Sequence, residues 1–278
     1  MTKRVLLLAT LTLAMMLVCG TVWADALAVT NTADSGPGSL RTAISKANAG
    51  SGRDVITFSP GARGEIRLKS ALPSVRGEVE IRGPGPGRLT VRRAVASDFR
   101  IFDVAANSTV RISGLTFSNG LADGFGCCNE ADDGGGVFNE GTLTLRGVVV
   151  SNNTADGWGG GVANVSGATL TVEDSAVSAN KGGGIENDGT LTVKSSSFSD
   201  NDGGGIDNGG NATVVGSKYV ENRGSGIANG GQMTVRDSTF SRNNTDGWGG
   251  AISNDFADLT VVGSTFSGNT ADSGGAIS

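Results

Sequence analysis

Three loops of this 278-residue chain place an aromatic ring two positions after an aspartate, in the phrase Asp-Gly-Phe/Trp-Gly. A sugar ring stacks on an aromatic face, and a neighbouring carboxylate can bond its hydroxyls. The pattern therefore predicts a carbohydrate-binding edge that includes Phe125, Asp156, Trp158, Asp246 and Trp248. The alternative is that each ring folds back over its own loop.

Aspartates near the middle of the chain suggest a cation site. Asp200, Asp202 and Asp207 lie in one repeat, and Asp188 lies in the repeat before it. Carboxylate oxygens are the ligands that Ca²⁺ takes in proteins, so Ca²⁺ is a possible ligand although no cofactor is required. The alternative is that these are solvated acidic turns. The chain has no His, which disfavours a zinc site.

The sequence offers no clear catalytic group. Glycoside hydrolysis needs two facing carboxylates, and no Asp pair stands apart from the repeated turn positions. Without His, a Ser-His arrangement cannot form. We therefore predict no catalytic residue; if the chain is an enzyme, a polysaccharide lyase or a glycoside hydrolase is expected.

Two adjacent cysteines, Cys127 and Cys128, remain once residues 1–24 are removed. A vicinal disulfide that stiffens their loop would suit an oxidising compartment, whereas two free thiols or an intermolecular link are the alternatives.

Most of the candidate residues named above belong to a sequence repeat. Each unit begins with Gly-Gly or a close variant, continues with Val or Ile, and places an Asn two residues later. Units are 21 to 25 residues long and contain three short runs in which apolar residues alternate with Thr or Ser. Such a repeat predicts an all-β, right-handed parallel β-helix with three strands per coil, in which the Asn residues form a structural ladder. The Asn residues of the predicted ladder are Asn139, Asn164, Asn187, Asn208, Asn229 and Asn254.

The N-terminal third is organised differently. Residues 1–24 read as a secretory signal peptide, with Lys3 and Arg4 before an apolar run. Residues 25–54 are expected to form a strand and a capping helix, because apolar residues from Leu40 to Ala47 follow helical spacing after a Ser39 N-cap. Residues 55–278 are then the β-helix, with regular coils from about residue 134. The sequence stops early in a further unit, which predicts a truncated C-terminus and an open coil that could associate end to end.

Charge divides the chain unevenly. Residues 25–115 carry 13 basic and 8 acidic side chains (net +5), and residues 116–278 carry 7 and 19 (net −12). An acidic repeat face argues against nucleic acid as a partner.

The opening Ser35-Gly-Pro-Gly-Ser-Leu-Arg41 and the run Ile112-Ser-Gly-Leu-Thr-Phe117 resemble secreted bacterial right-handed parallel β-helix proteins. Gly-Gly-Ala-Ile at 249–252 and 274–277, with Phe-Ser-x-Asn at 198–201, 240–243 and 266–269, resembles the repeats of polymorphic outer-membrane proteins. The resemblance implies export and a location outside the cell or on the bacterial surface, associated with the outer membrane. No transmembrane segment is expected after signal cleavage.

The favoured hypothesis is an exported, non-catalytic β-helix that acts as a scaffold or adhesin-like module, with surface polysaccharide or glycans of host or neighbouring cells as partners. One alternative is a carbohydrate-binding or polysaccharide-degrading β-helix that uses the long-loop edge. The other is a structural protein that stacks on itself.

Overall fold

The computed structural model describes residues 25–123 and 132–278. Its strands stack into three long parallel sheets, which confirms the predicted all-β solenoid with three strands per coil. Sheet A has ten strands: β1 (Asp25–Val29), β2 (Arg53–Phe58), β4 (Glu78–Arg82), β7 (Thr109–Ser113), β11 (Thr142–Arg146), β15 (Thr169–Glu173), β18 (Thr190–Lys194), β21 (Asn211–Val215), β24 (Gln232–Arg236) and β27 (Asp258–Val262).

Sheet B has nine strands: β3 (Gly64–Leu68), β5 (Leu89–Arg93), β8 (Thr116–Ser118), β12 (Val149–Ser151), β16 (Ala176–Ser178), β19 (Ser197–Ser199), β22 (Lys218–Val220), β25 (Thr239–Ser241) and β28 (Thr265–Ser267). Sheet C has seven: β6 (Phe102–Val104), β10 (Val137–Asn139), β14 (Val162–Asn164), β17 (Ile185–Asn187), β20 (Ile206–Asn208), β23 (Ile227–Asn229) and β26 (Ile252–Asn254). A two-stranded sheet joins β9 (Leu121–Ala122) to β13 (Thr154–Ala155).

The order of sheets within a coil follows from the repeat. The Gly-Gly-Val/Ile-x-Asn segment forms the sheet C strand, the Leu-Thr-Val segment forms the sheet A strand, and the Ser-x-Phe-Ser segment contributes the sheet B strand. Each strand is too short to bury its apolar side alone, so the coils are stable only when stacked.

The core is a set of ladders inside the coil. Val and Ile of sheet C, Leu and Val of sheet A, and aromatic rings of sheet B point inward. They are almost fully buried, except in the last coil, where Leu259, Val261 and Phe266 are half-buried. Four rings of sheet B stack face to face, with centroids 4.7–5.2 Å apart. They are Phe198, Tyr219, Phe240 and Phe266.

The predicted helix is α1 (Leu40–Ala47), whose first turn is capped by Ser39 Oγ accepting a hydrogen bond from Thr42 N–H at 3.2 Å. Its apolar stripe of Leu40, Ala43, Ile44 and Ala47 is buried in the core. Strand β1 precedes this helix and pairs with β2, so it is the first strand of sheet A. Of the described residues, none belongs to a helix with the length and apolar character needed to cross a membrane.

Candidate functional site

Polar ladders fix the corners of the coil. At the corner between sheets C and A, each Asn side-chain amide donates to the Asn oxygen of the next coil at 2.6–2.8 Å. Residues of this column are mostly buried, so their hydrogen bonds replace water and tie neighbouring coils together. The column consists of Asn139, Asn164, Asn187, Asn208, Asn229 and Asn254.

Two further columns were not among the predicted ladder residues. A second set of buried Asn residues runs along the corner between sheets B and C, with amide-to-oxygen distances of 2.8–3.1 Å. A Ser column lies between sheets A and B, where each hydroxyl oxygen accepts from the backbone N–H of the preceding coil. The Ser-x-Phe-Ser-x-Asn phrase was the available signal for both columns.

The two exposed tryptophans leave the solenoid at the corner between sheets B and C. Trp158 lies between β13 and β14 and is 60% exposed; Trp248 lies just before β26 and is 63% exposed. Asp156 and Asp246, which precede them, are exposed as well. Phe125, Cys127 and Cys128 lie outside the described residues.

The loops that carry the tryptophans are separated by three short coils. Before Ile185, Ile206 and Ile227 the same corner is closed by small residues, chiefly Gly, without an aromatic insertion. Trp158 and Trp248 therefore stand four strand spacings apart along the solenoid, about 19 Å. We call the surface between them, formed by the outward faces of β17, β20 and β23, the trough.

Each end of the trough is a packed loop. The Asp133 carboxylate accepts a hydrogen bond from Trp158 N–H at 2.7 Å, which anchors that loop to the preceding coil. A Cβ on Gly159 would lie 2.9 Å from Glu186 Cβ, so this loop packs directly against the first residue of the trough floor. At the other end, Ser225 Oγ donates to the Trp248 carbonyl at 3.1 Å.

The floor of the trough is acidic. Glu186 of β17 and Asp207 of β20 are register partners on adjacent parallel strands, and both side chains are half-buried. The next partner along the sheet is Ala228 of β23. Glu186 was missed in the sequence because the middle residue of Gly-Gly-Ile-x-Asn varies from unit to unit.

Burial and neighbouring negative charges raise the pKa values of these carboxyls, so they stay protonated to a higher pH than usual. The pKa of Glu186 is raised to about 9, first by desolvation and then by the charges of Asp207, Asp188 and Asp133. Desolvation followed by the charge of Asp188 raises the pKa of Asp207. Desolvation also raises the pKa of Asp133.

The aspartates considered for Ca²⁺ lie in different environments. Asp188 and Asp207 are on the sheet C side, whereas Asp200 follows β19 of sheet B. Asp202 forms backbone β-bridges with Lys181 and Arg223 in the column after the second Asn ladder. In residues 25–123 and 132–278, no group of three or more His, Cys, Asp or Glu side chains is arranged to hold a metal ion.

Next to the trough, sheet C continues into an apolar and basic patch. The Arg100 guanidinium lies 4.2 Å from the Phe138 ring centroid and 3.7 Å from an Asp103 carboxylate oxygen.

Asp156 of the Trp158 loop also interacts with Asp123. The two carboxyls share a hydrogen bond, which raises the pKa of Asp123.

Comparison with known proteins identifies one matching family and several solved structures of low sequence identity. The right-handed β-helix region family matches residues 135–278. No curated protein sequence matches the chain. The A-module of mannuronan C-5 epimerase AlgE4 from Azotobacter vinelandii is 12% identical, with 90% of this chain and 99% of that module covered and a TM-score of 0.36.

Two further solved structures have similarly low sequence identity to this chain. For the A-module of epimerase AlgE6 from Azotobacter vinelandii the identity is 14%, the coverage 89% and 95%, and the TM-score 0.33. For ORF18 of Geobacillus virus E2 the identity is 10%, the coverage 89% and 62%, and the TM-score 0.30. None of these similarities bears on what this chain binds.

Proposed function

This chain belongs to the right-handed β-helix family, and from that premise we propose that it is a non-catalytic scaffold whose trough holds an extended carbohydrate chain. The signal-like residues 1–24 and the repeats that resemble polymorphic outer-membrane proteins support export to the cell surface. The proposed partner is a surface polysaccharide or a glycan of a host or neighbouring cell.

The observation that carries this proposal is the matched pair of exposed indoles. Single exposed apolar side chains are common on protein surfaces. Here, however, Trp158 and Trp248 occupy the same place in two repeats and are 60% and 63% exposed. They stand at the two ends of one trough, as a polymer that stacks on both would require. Aromatic rings with one exposed face are the usual platform for a sugar ring.

The floor between the indoles supplies hydrogen-bonding groups. Glu186 and Asp207 point out of the solenoid in register, and Asp188 is exposed beside them. A protonated carboxyl both donates and accepts a hydrogen bond, and an ionised one accepts, so this floor suits sugar hydroxyls. The ligand would run along the solenoid axis, since the indoles are displaced along that axis.

A glycan and polysaccharide array probed with the mature protein tests the proposal. We expect binding to at least one extended polysaccharide, and a loss of about tenfold or more in affinity for Trp158→Ala/Trp248→Ala, since an aromatic stacking contact contributes about 1 kcal/mol. The matched control is Phe256→Ala, because this ring is fully exposed and lies between β26 and β27, at the opposite corner of sheet C from the tryptophans.

The control should bind like the original protein. Unchanged binding by the double Trp variant, with its β signal in circular dichroism intact, would contradict the proposal. So would the absence of binding by a folded protein to every polysaccharide on the array.

A second candidate function is glycoside hydrolysis in the trough, and the Glu186–Asp207 pair favours it. Residues in register on adjacent strands stand about 5 Å apart, close to the carboxyl separation of retaining glycosidases. The raised pKa of Glu186, about 9, would let it act as the general acid at neutral pH.

Product analysis decides between binding and hydrolysis. A hydrolase should release reducing ends from the polysaccharide that binds best, with retention of the anomeric configuration. Glu186→Gln should abolish that release and leave binding in place. Binding without any release of reducing ends over a long incubation would reject hydrolysis and favour the non-catalytic scaffold.

A further inference from the structure

We propose that the outward face of sheet A binds ice. We call this surface, formed by the outward side chains of β11, β15, β18, β21, β24 and β27, the threonine face. It belongs to a different sheet from the trough, so the inference is independent of the proposed function. It follows from the register of the threonines, from their hydroxyls and from the charges around them.

One threonine column runs through six consecutive coils. Parallel pairing places the middle outward residue of each sheet A strand directly beside its counterpart in the next coil. All of these residues are threonines, and each is half-buried or exposed. The column repeats at the strand spacing of about 4.8 Å and extends over about 24 Å. It consists of Thr144, Thr171, Thr192, Thr213, Thr234 and Thr260.

A second column widens the array. Two residues earlier along the strands, three consecutive coils present Thr142, Thr169 and Thr190. The next two coils continue this column with the neutral polar side chains of Asn211 and Gln232. Alternate residues of a strand lie about 6.7 Å apart. The two columns therefore form a two-dimensional lattice of polar groups rather than a single row.

This lattice resembles that of ice. In hexagonal ice the structure repeats along the a axis at a distance slightly shorter than the strand spacing. Along the c axis it repeats at a distance slightly longer than that between alternate residues of a strand. Threonine is β-branched and stiff at χ1, so its hydroxyl and methyl groups keep their places at little cost in entropy. Water molecules held by these groups therefore lie close to positions that they would occupy in an ice crystal.

The threonine hydroxyls are available to water. Asn139 and Asn164 of the first Asn column bond to the backbone carbonyls of Thr169 and Thr190, at 3.1 and 3.4 Å, and do not engage their side chains. No threonine hydroxyl of either column bonds to another group in residues 25–123 and 132–278. A hydroxyl both donates and accepts, so these groups form their hydrogen bonds with the water that covers the face.

Strand propensity alone does not explain the constant threonine. Thr is favoured in strands in general, because its branched side chain fits a pleated, half-buried surface. If this preference alone chose the outward residues, sheet C would show it too. The corresponding residues of sheet C instead change from coil to coil, through Glu186, Asp207, Ala228 and Ser253. The constant threonine is therefore a property of one face of the solenoid.

The surroundings of the face indicate what it binds. From β11 to β24 the two columns carry no charged side chain, although residues 116–278 contain 19 acidic and 7 basic residues. Charged groups lie in the next outward column, where Lys194 and Glu173 pair with each other at 3.5 Å. The outward residues of these described strands include no aromatic ring on which a sugar could stack. A neutral, periodic solid of hydrogen-bonding molecules therefore fits this face better than an ion or a glycan does.

Ice-affinity partitioning and nanolitre osmometry of the mature protein test the proposal. We expect the protein to enter slowly growing ice and to hold the freezing temperature of a seed crystal below its melting temperature. Trp158→Ala/Trp248→Ala should do the same, because the tryptophans lie at the corner between sheets B and C. Exclusion of the folded protein from ice, with equal freezing and melting temperatures, would overturn the proposal.

The test variant is Thr192→Lys/Thr234→Lys, and its control is Ser197→Lys/Thr239→Lys. Both add two charged side chains to the same two coils, the first on sheet A and the second on sheet B. The control positions flank Lys218 in register, so that face already accommodates a lysine. A long, hydrated ammonium side chain stands above the lattice and holds liquid water. Ice incorporation should therefore fall several-fold in the test variant and stay unchanged in the control.

Thr213→Lys is the milder variant, since it changes one exposed residue in the middle of the column. It should lower ice incorporation as well, with the β signal in circular dichroism intact. An equal loss in the sheet B control would overturn the proposal. So would sedimentation of the original protein as a dimer that Thr192→Lys/Thr234→Lys dissociates, because a second copy would then cover the face. Polysaccharide binding by the test variant should be unchanged, which separates a failure of this proposal from a failure of the proposed function.

Discussion

Tyr219 carries a polar atom into the aromatic stack of sheet B. The residue is fully buried between Phe198 and Phe240, and its hydroxyl has no hydrogen-bond partner within the described residues. A buried hydroxyl without a partner is destabilising. We therefore expect Tyr219→Phe to raise the free energy of unfolding by about 1 kcal/mol in urea denaturation. A decrease would show that the hydroxyl is bonded in solution.

Glu186 makes stability depend on pH. In the unfolded chain its carboxyl has the ordinary pKa of 4.5, whereas in the folded protein the pKa is about 9. Between these values the folded state holds a proton that the unfolded state has lost, so this residue contributes a decrease in stability as pH rises, at most about 1.4 kcal/mol per pH unit. The stabilisation that comes from the proton held by Glu186 in the folded state is fully present below pH 4.5 and is lost above about pH 9.

Glu186→Gln should remove this part of the pH dependence. We expect melting temperatures of the variant to fall less than those of the original protein between acid and alkaline pH. Exposed Asp200→Asn is the control and should leave the profile unchanged. Parallel profiles for Glu186→Gln and the original protein would mean that the Glu186 carboxyl titrates normally.

At the scale of elements, the Asn columns hold the coils in register. Asn201 donates to the Val177 carbonyl at 3.0 Å and to Asn222 Oδ1 at 3.0 Å, and its own oxygen accepts from the backbone and side chain of Asn180 at 3.1 and 2.9 Å. Asn201→Ala would leave several buried groups unpaired. We expect a loss of about 3 kcal/mol in unfolding free energy.

Asn269→Ala is the comparison for this prediction. Asn269 belongs to the same column but is only half-buried, so water can replace part of its bonds and the loss should be smaller. Equal losses at both positions would mean that burial does not set the strength of the ladder.

The repeat made the elements predictable. A solenoid reuses one set of inward positions, and the spacing of Val/Ile-x-Asn, Leu-Thr-Val and Ser-x-Phe-Ser therefore identified the three strands of each regular coil. The helix over Leu40–Ala47 was confirmed for a local reason, since its apolar stripe and Ser39 cap lie within nine consecutive residues. The first Asn column could likewise be read from its constant place in the unit.

The trough was harder to predict. Outward positions such as Glu186 and Asp207 are not constrained by packing, so no pattern marks them. Their pairing depends on the register of two adjacent coils, and the raised pKa of Glu186 depends on burial beside the Trp158 loop, which only the folded chain shows. The predicted carbohydrate-binding and Ca²⁺-binding roles stay predictions.

Over the whole molecule, the charges divide the solenoid into two electrostatic regimes. In the N-terminal coils, acidic and basic side chains form ion pairs across adjacent strands, such as Arg53–Glu80 and Arg92–Glu65. From residue 116 onward the chain carries 19 acidic and 7 basic side chains. Ion pairs such as Lys194–Glu173 form there as well, but acidic side chains outnumber basic ones, and Glu186 and Asp207 lie in register on adjacent strands. Each coil contacts only its neighbours, and local stability can therefore differ along the axis.

Added salt should change the local stability of the N-terminal coils and of the acidic coils in different directions. Raising NaCl from about 20 mM to about 500 mM shortens the screening length several-fold. This screens repulsion among the acidic coils and attraction within the N-terminal ion pairs. We expect amide protection to increase a few-fold in β17, β20 and β23 and to stay constant or decrease in β2 and β4, as measured by hydrogen exchange resolved by peptide. Arg236→Glu, which adds to the acidic part, should enlarge the salt effect there. A uniform change along the axis would show that salt acts on the solvent rather than on these charges.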